Sequence, residues 1–256
     1  MPPGGATGVP TASAAADLVF LLDVDNTLLD MDSVVADLHA HLAQGLGAAA
    51  AQRYWAISAS LRQVSGEVDY LAALQALGRE VDGALPGERA VRQRLLCMAG
   101  FLIDYPFADR LYPRALEVLR HLGRYGTTVL LTDGDVVMQP RKLQRAGLWD
   151  AVDGRVLVYR HKERMLDAVG QQFPARHYVM VDDKLPILAA VKASWRGRVT
   201  TIWPRQGHYA LDRTQLDGHA PADLQVEHIG ALADADLSAL VLREVAAAPA
   251  AAGATP

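Results

Sequence analysis

At 256 residues, with 51% hydrophobic and 21% charged side chains, the chain has the size and balance of one large α/β domain, or of one domain carrying an insertion. A formal charge of −4 gives no basic footprint for nucleic acid, and the single cysteine, Cys97, excludes an intramolecular disulfide and a cysteine-built zinc site. No apolar run approaches the roughly 20 residues needed to cross a bilayer, so the expectation is a cytoplasmic protein with no membrane partner.

The first 16 residues are rich in Pro, Gly, Ala, Ser and Thr, and hold no Lys, no Arg and no apolar h-region. They read as a disordered leader rather than a signal peptide. Leu18-Val19-Phe20-Leu21-Leu22 is a short unbroken apolar run, the pattern of a strand buried on both faces of a parallel sheet. It runs into Asp23-Val24-Asp25-Asn26-Thr27. Alternate side chains of an extended chain point the same way, so Asp23 and Asp25 share one side of the strand's exit. Two like charges so close need an offset, such as a divalent cation.

After Asp30 the period becomes helical. Val34, Val35, Leu38 and Leu42 form a first stripe, and Tyr54, Ile57, Leu61 and Val64 a second. Tyr70, Leu74, Leu77 and Val81 form a third, and Val91, Leu95, Met98 and Leu102 a fourth. Gly47, Gly66 and the 83–87 stretch punctuate them. The stripes read as helix packing rather than a cofactor pocket. Cys97, among Leu95, Leu96 and Met98, is expected to be a buried structural thiol. His39 and His41 stand two apart on a helix and face different sides, a poor metal pair and ordinary surface or packing residues.

From Tyr112 the rhythm becomes helix then strand. Pro113 suits a first helical position, followed by Leu116, Leu119 and Leu122 and a stop at Gly123. Strands are expected at 127–131, 155–159, 177–181 and 199–203, with a short edge strand at 224–226. Helices fall at 140–146, after Lys162, and around Ile187, Leu188 and Val191. A last helix carries Leu237, Leu240, Val241 and Val245. Strands alternating with helices predict a doubly wound parallel sheet with an all-helical insertion after the first strand.

Polar groups gather at the strand ends: Asp23 and Asp25, Thr132, Lys162, and Asp182 with Asp183. A parallel sheet brings such ends to one edge, where open α/β sheets bind ligands. Buried carboxylates are costly unless compensated. Four of them suit a hard cation, with Mg2+ the expected one. The cation and Lys162 leave room for a phosphate held by the Thr132 hydroxyl. One carboxylate can then attack phosphorus while a second, two residues on, moves protons.

These residues, in this order and at these strand ends, resemble the four motifs of the haloacid dehalogenase-like (HAD) hydrolase superfamily over about residues 18 to 230, specifically its phosphatases with a C1-type helical cap. The resemblance implies a Rossmann-like core at 17–30 and 109–247, a helical cap at 31–108 and a flexible tail at 248–256. It implies Asp23 as nucleophile, Asp25 as general acid/base, and Thr132, Asp133 and Lys162 as the phosphate-contacting set, Lys162 also steadying the nucleophile. It implies Mg2+ on the Asp23 carboxylate, the Asp25 carbonyl and the Asp182/Asp183 pair. Two positions depart from the pattern: Asp133 stands where Asn is usual, and Glu163 where Pro commonly follows the lysine. An Asp133 carboxylate faces the phosphate unless it turns away or bonds a backbone amide. Asp25 argues against dehalogenase chemistry, whose enzymes in this superfamily lack the second aspartate. The implied activity is a Mg2+-dependent phosphohydrolase acting on a small phosphorylated metabolite through an aspartyl-phosphate. A phosphomutase using the same intermediate and a catalytically silent binding protein stand as alternatives. A phospho-receiver is excluded, because there the acidic pair precedes the acceptor and no large insertion interrupts the series.

Overall fold

The computed structural model describes residues 16–66, 68–81, 88–212 and 218–238. Most of the expected leader, the 83–87 break, most of the expected last helix and the tail lie outside the described residues.

Six parallel strands form one sheet in the order β3-β2-β1-β4-β5-β6. They are β1 (Ala16–Leu22), β2 (Thr127–Asp133), β3 (Val156–Tyr159), β4 (Ala175–Val181), β5 (Val199–Pro204) and β6 (Leu224–Val226). The apolar run of β1 explains its central place, because only a strand covered on both faces can consist of buried apolar residues throughout. Leu18, Phe20 and Leu22 enter one core with Leu130, Val179 and Ile202, while Val19 and Leu21 enter the opposite core with Val129, Met180 and Tyr178. The first core is closed by α5 (Ala115–Leu122), α6 (Met138–Arg145) and α7 (Leu148–Ala151), and the second by α8 (Leu166–Gln172) and α9 (Leu185–Trp195). The sheet is doubly wound, as the alternation of elements predicts.

Between β1 and β2 stand α1 (Met31–Leu46), α2 (Ala48–Ser65), α3 (Tyr70–Val81) and α4 (Glu88–Asp104). Asp30 starts α1 by accepting from the Ser33 amide at 2.9 Å, and Gly66 ends α2 in the left-handed conformation, φ 81°. The four helices bury their own apolar core of Leu38, Leu42, Tyr54, Leu74, Leu77 and Leu102, among others. The histidines pack as expected: His39 stacks on Trp55 at 3.7 Å and His41 on Phe101 at 4.1 Å. Val64 departs from its stripe and is 87% exposed. At 100° per residue it sits about 80° round the helix from Tyr54, at the margin of the buried face. Cys97 is exposed, contrary to expectation. It lies about 100° from Met98 and roughly 160° from Leu95, off the buried side of α4. Pro113 does not open α5; Arg114 in the left-handed region, φ 67°, separates it from Ala115.

The chain enters and leaves the helical unit side by side. The Asp30 amide donates to the Arg110 carbonyl at 2.8 Å and the Tyr112 amide to the Leu28 carbonyl at 3.0 Å. Among the described residues no helix is long and apolar enough to cross a membrane.

Candidate active site

The strand ends meet at the carboxyl edge of the sheet. Asp23 follows β1, Thr132 lies in β2, Lys162 opens a short turn after β3, and Asp182 and Asp183 follow β4; all five are buried. The Lys162 ammonium contacts Asp23 Oδ1, Asp182 Oδ2 at 2.7 Å and the Leu131 carbonyl at 3.3 Å. Burial alone would lower its pKa, but Asp182, Asp23 and Asp133 outweigh that and raise it, so Lys162 is a cation. Burial pushes the Asp23 carboxyl up, with Lys162 opposing and Asp182 adding to the rise. Asp183 is driven well above the usual carboxylate range by burial and by the charges of Asp23 and Asp182.

Oxygens of Asp23, Asp182 and Asp183 lie within 4.8 Å of one another. Asp23 Oδ2 and both carboxylate oxygens of Asp183 are buried with no hydrogen-bond partner among the described residues. Buried polar atoms normally find partners, so these oxygens are those a cation would claim. An all-oxygen carboxylate set suits a hard divalent ion. Backbone contacts hold the set in place. The Asp183 amide donates to Thr27 Oγ1 at 3.1 Å, and Trp203 Nε1 donates to the Asp183 carbonyl at 2.9 Å. Gln206 Nε2 donates to the carbonyls of Asn26 and Thr27 at 3.0 and 2.9 Å.

Asp25 does not join this cluster. Its carboxylate is turned toward α6, where Lys142 Nζ contacts Oδ1 and Gln139 Nε2 donates to Oδ2 at 3.1 Å. Neither partner carried a signal in the sequence: they lie 117 and 114 residues away, on a helix of mostly polar residues. Asp133 takes the second of the two expected courses, accepting from the Lys162 backbone amide at 2.9 Å. Burial raises its carboxyl, with Lys162 opposing. Thr132 Oγ1 donates to the Asp133 carbonyl at 3.3 Å.

A cavity of about 350 Å3 lies between sheet edge and helical unit. The core contributes Asp25, Asp133 and Lys184, and the helices contribute Leu38, Arg62 and Tyr70. Asp23, Thr132 and Asp183 do not line it; each is buried and stands one or two residues along the chain from a lining residue. Burial, with Asp25 adding, raises the Tyr70 hydroxyl, which remains a donor. Lys184 stays charged: burial lowers its pKa, but Asp23 and Asp183 raise it further. His208 is at the rim and bonds Asp32 at 2.6 Å, whereas Arg205 points away and pairs with Glu227 at 3.5 Å. Of the basic residues beside Lys162, Arg160 and His161 line the cavity, while Arg164 sits 3.5 Å from Glu163.

No curated protein sequence gives a significant match. Solved structures do. A protein of Burkholderia xenovorans LB400 assigned to the haloacid dehalogenase-like hydrolases is 57% identical and superposes with a TM-score of 0.78, covering 86% of this chain and 99% of that one. A Thermotoga maritima protein assigned as a β-phosphoglucomutase shares the fold at 16% identity and a TM-score of 0.52, over 89% and 99% of the two chains. An L-2-haloacid dehalogenase does so at 17% and 0.56, over 85% and 98%. The haloacid dehalogenase-like hydrolase family matches residues 18–194. With the sheet order, the strand-end carboxylates and this match in agreement, the chain belongs to the haloacid dehalogenase-like hydrolases.

Proposed function

We propose that the protein is a Mg2+-dependent phosphohydrolase of a small phosphorylated metabolite, working through a phosphorylated Asp23. The observation that carries this reading is the buried triad of Asp23, Asp182 and Asp183, with its unpartnered oxygens, set against the Lys162 ammonium. Mg2+ held by these carboxylates and the Asp25 carbonyl would supply positive charge to the transferring phosphoryl group. In the first step an Asp23 oxygen attacks phosphorus, the ester P–O bond breaks, and the leaving oxygen takes a proton from Asp25. In the second, a water gives a proton to Asp25 and attacks the same phosphorus, releasing inorganic phosphate and the free Asp23 carboxylate. Lys162 neutralises phosphate charge and orients Asp23. Thr132 would turn its hydroxyl from the Asp133 carbonyl to a phosphate oxygen. Asp133 is better assigned to fixing the Lys162 backbone than to touching phosphate, since one of its oxygens already accepts that amide.

Dehalogenation is the weaker reading because Asp25 supplies the acid/base that hydrolysis of a phosphoester needs. The helical unit acts as the cap: Arg62 and Tyr70 meet the leaving group, and entry to Asp23 requires the cap to move. An aryl phosphate tested with Mg2+ and with a chelator checks the proposal. Turnover that requires Mg2+ is expected, and metal-independent turnover contradicts it.

A further inference from the structure

The second carboxylate of the motif is gripped by a helix to which no role has been given. We propose that Gln139 and Lys142 of α6 are positioning residues that hold the Asp25 carboxylate in one orientation for proton transfer. The inference rests on the reading of Asp25 as acid/base.

Each oxygen of Asp25 has its own donor, Lys142 on Oδ1 and Gln139 on Oδ2. The Lys142 side chain is 6% exposed and that of Asp25 30%. A buried ammonium is tolerated only when paired, and among the described residues Asp25 is the carboxylate that Lys142 meets. Helix packing does not require a lysine there, because the neighbouring Leu143 already fills the apolar core. Gln139 and Lys142 are three residues apart and so share one face of α6.

Gln139 is itself fixed. Its Nε2 also donates to the Asp133 carbonyl at 2.8 Å, and its side chain lies against Gly134. Gly134 has φ 144°, and a Cβ there would stand 2.6 Å from Gln139 Cγ and Nε2. The glycine therefore makes room for the glutamine. The helix is anchored at its start and along a second face. Asp135 accepts from the Val137 and Met138 amides at 2.8 and 2.7 Å. Arg141 and Arg145 donate to backbone carbonyls at the end of α4, Arg145 to Asp104 at 2.6 Å. A side chain held on an anchored helix is placed more precisely than one on a loop. An acid that must meet a leaving oxygen gains most from such placement.

The test compares kcat/KM for phenyl phosphate, whose leaving group needs a proton, with that for 4-nitrophenyl phosphate, whose leaving group hardly does. kcat/KM reports only the steps through the first phosphoryl transfer. Lys142→Met should lower it about 100-fold for phenyl phosphate and under about 5-fold for 4-nitrophenyl phosphate, since a general acid contributes roughly 10²–10⁴-fold. Added to Asp25→Asn, the same change should alter phenyl phosphate turnover less than about twofold, because two residues acting as a unit are not additive. Gln139→Leu, which leaves no buried charge unpaired, should show the same asymmetry at about 10-fold and keeps the test valid should Lys142→Met misfold. Equal losses on both esters, or an undiminished loss in the Asp25→Asn background, overturn the inference alone. Wild-type protein that hydrolyses neither ester overturns the phosphohydrolase reading and the inference with it.

Discussion

Between β1 and β2 the chain builds a four-helix unit whose described interior is apolar, Ser58 being its single buried residue of the polar or charged class. At the carboxyl edge of the sheet the interior instead holds Asp23, Thr27, Thr132, Lys162, Asp182 and Asp183. The helical unit is thus stabilised by what it buries, while the sheet edge tolerates what it buries because the charges sit opposite one another. The difference separates shape from chemistry. Changing a residue in the helices should alter stability or choice of leaving group, and changing one at the sheet edge should alter turnover.

The hardest test of that division is Asp23→Asn. It should reduce phosphatase activity more than about 10⁴-fold with the thermal midpoint little changed, and near-normal turnover would mean another nucleophile. Asp25→Asn should cost roughly 10²–10⁴-fold and, by slowing hydrolysis of the intermediate, allow a phosphoenzyme to accumulate that mass spectrometry can detect. On the helical side, Leu42→Ala should destabilise by about 2–5 kcal/mol in denaturant melts, because Leu42 is completely buried in an apolar cluster.

Asp183→Asn should do the opposite in metal-free protein. It removes a carboxylate whose folded pKa lies far above its unfolded value, which costs stability as pH rises past the unfolded value. A gain of about 1 kcal/mol, roughly 2–4 °C in the midpoint, is expected, and the rise in midpoint expected of the unaltered protein on adding Mg2+ should be lost. A variant both less stable and still raised by Mg2+ would refute the account of this cluster. Asp223 has the reverse sign. Burial pushes its carboxyl up, but Lys192 and Thr201 more than offset this and lower it. Its contribution is present above the unfolded carboxylate pKa and is lost as pH falls through the folded value, so Asp223→Asn should flatten the acid limb of the stability curve. Smallest of all, Cys97→Ser should shift stability by less than about 0.5 kcal/mol, as befits an exposed thiol.

The sheet and the four strand-end groups were legible because both follow local rules. A continuous apolar run such as 18–22 has one comfortable place, the middle of a covered sheet, and parallel strands bring their ends to one edge. What escaped the sequence depends on where side chains point across the fold. Lys142 and Gln139 look like surface residues of a polar helix until α6 is set beside Asp25. The Thr27 hydroxyl under the Asp183 amide joins residues 156 apart. Cys97 failed for a simpler reason, since adjacency to apolar residues says little about burial unless the angle round the helix is followed, while Val64, although in phase with its stripe, lies at the margin of the buried face.

The central position of β1 also bears on how the chain is made. Its partners are β2, beginning at Thr127, and β4, beginning at Ala175, so on the ribosome the first strand emerges with both edges bare. The helices that follow can associate with one another at once through short-range contacts, whereas the sheet must wait for distant sequence. A nascent chain halted after α4 would carry an assembled helical unit beside an unpaired apolar strand, the kind of edge on which chains aggregate. Chains released before β4 is made are therefore expected to aggregate more than chains released after it.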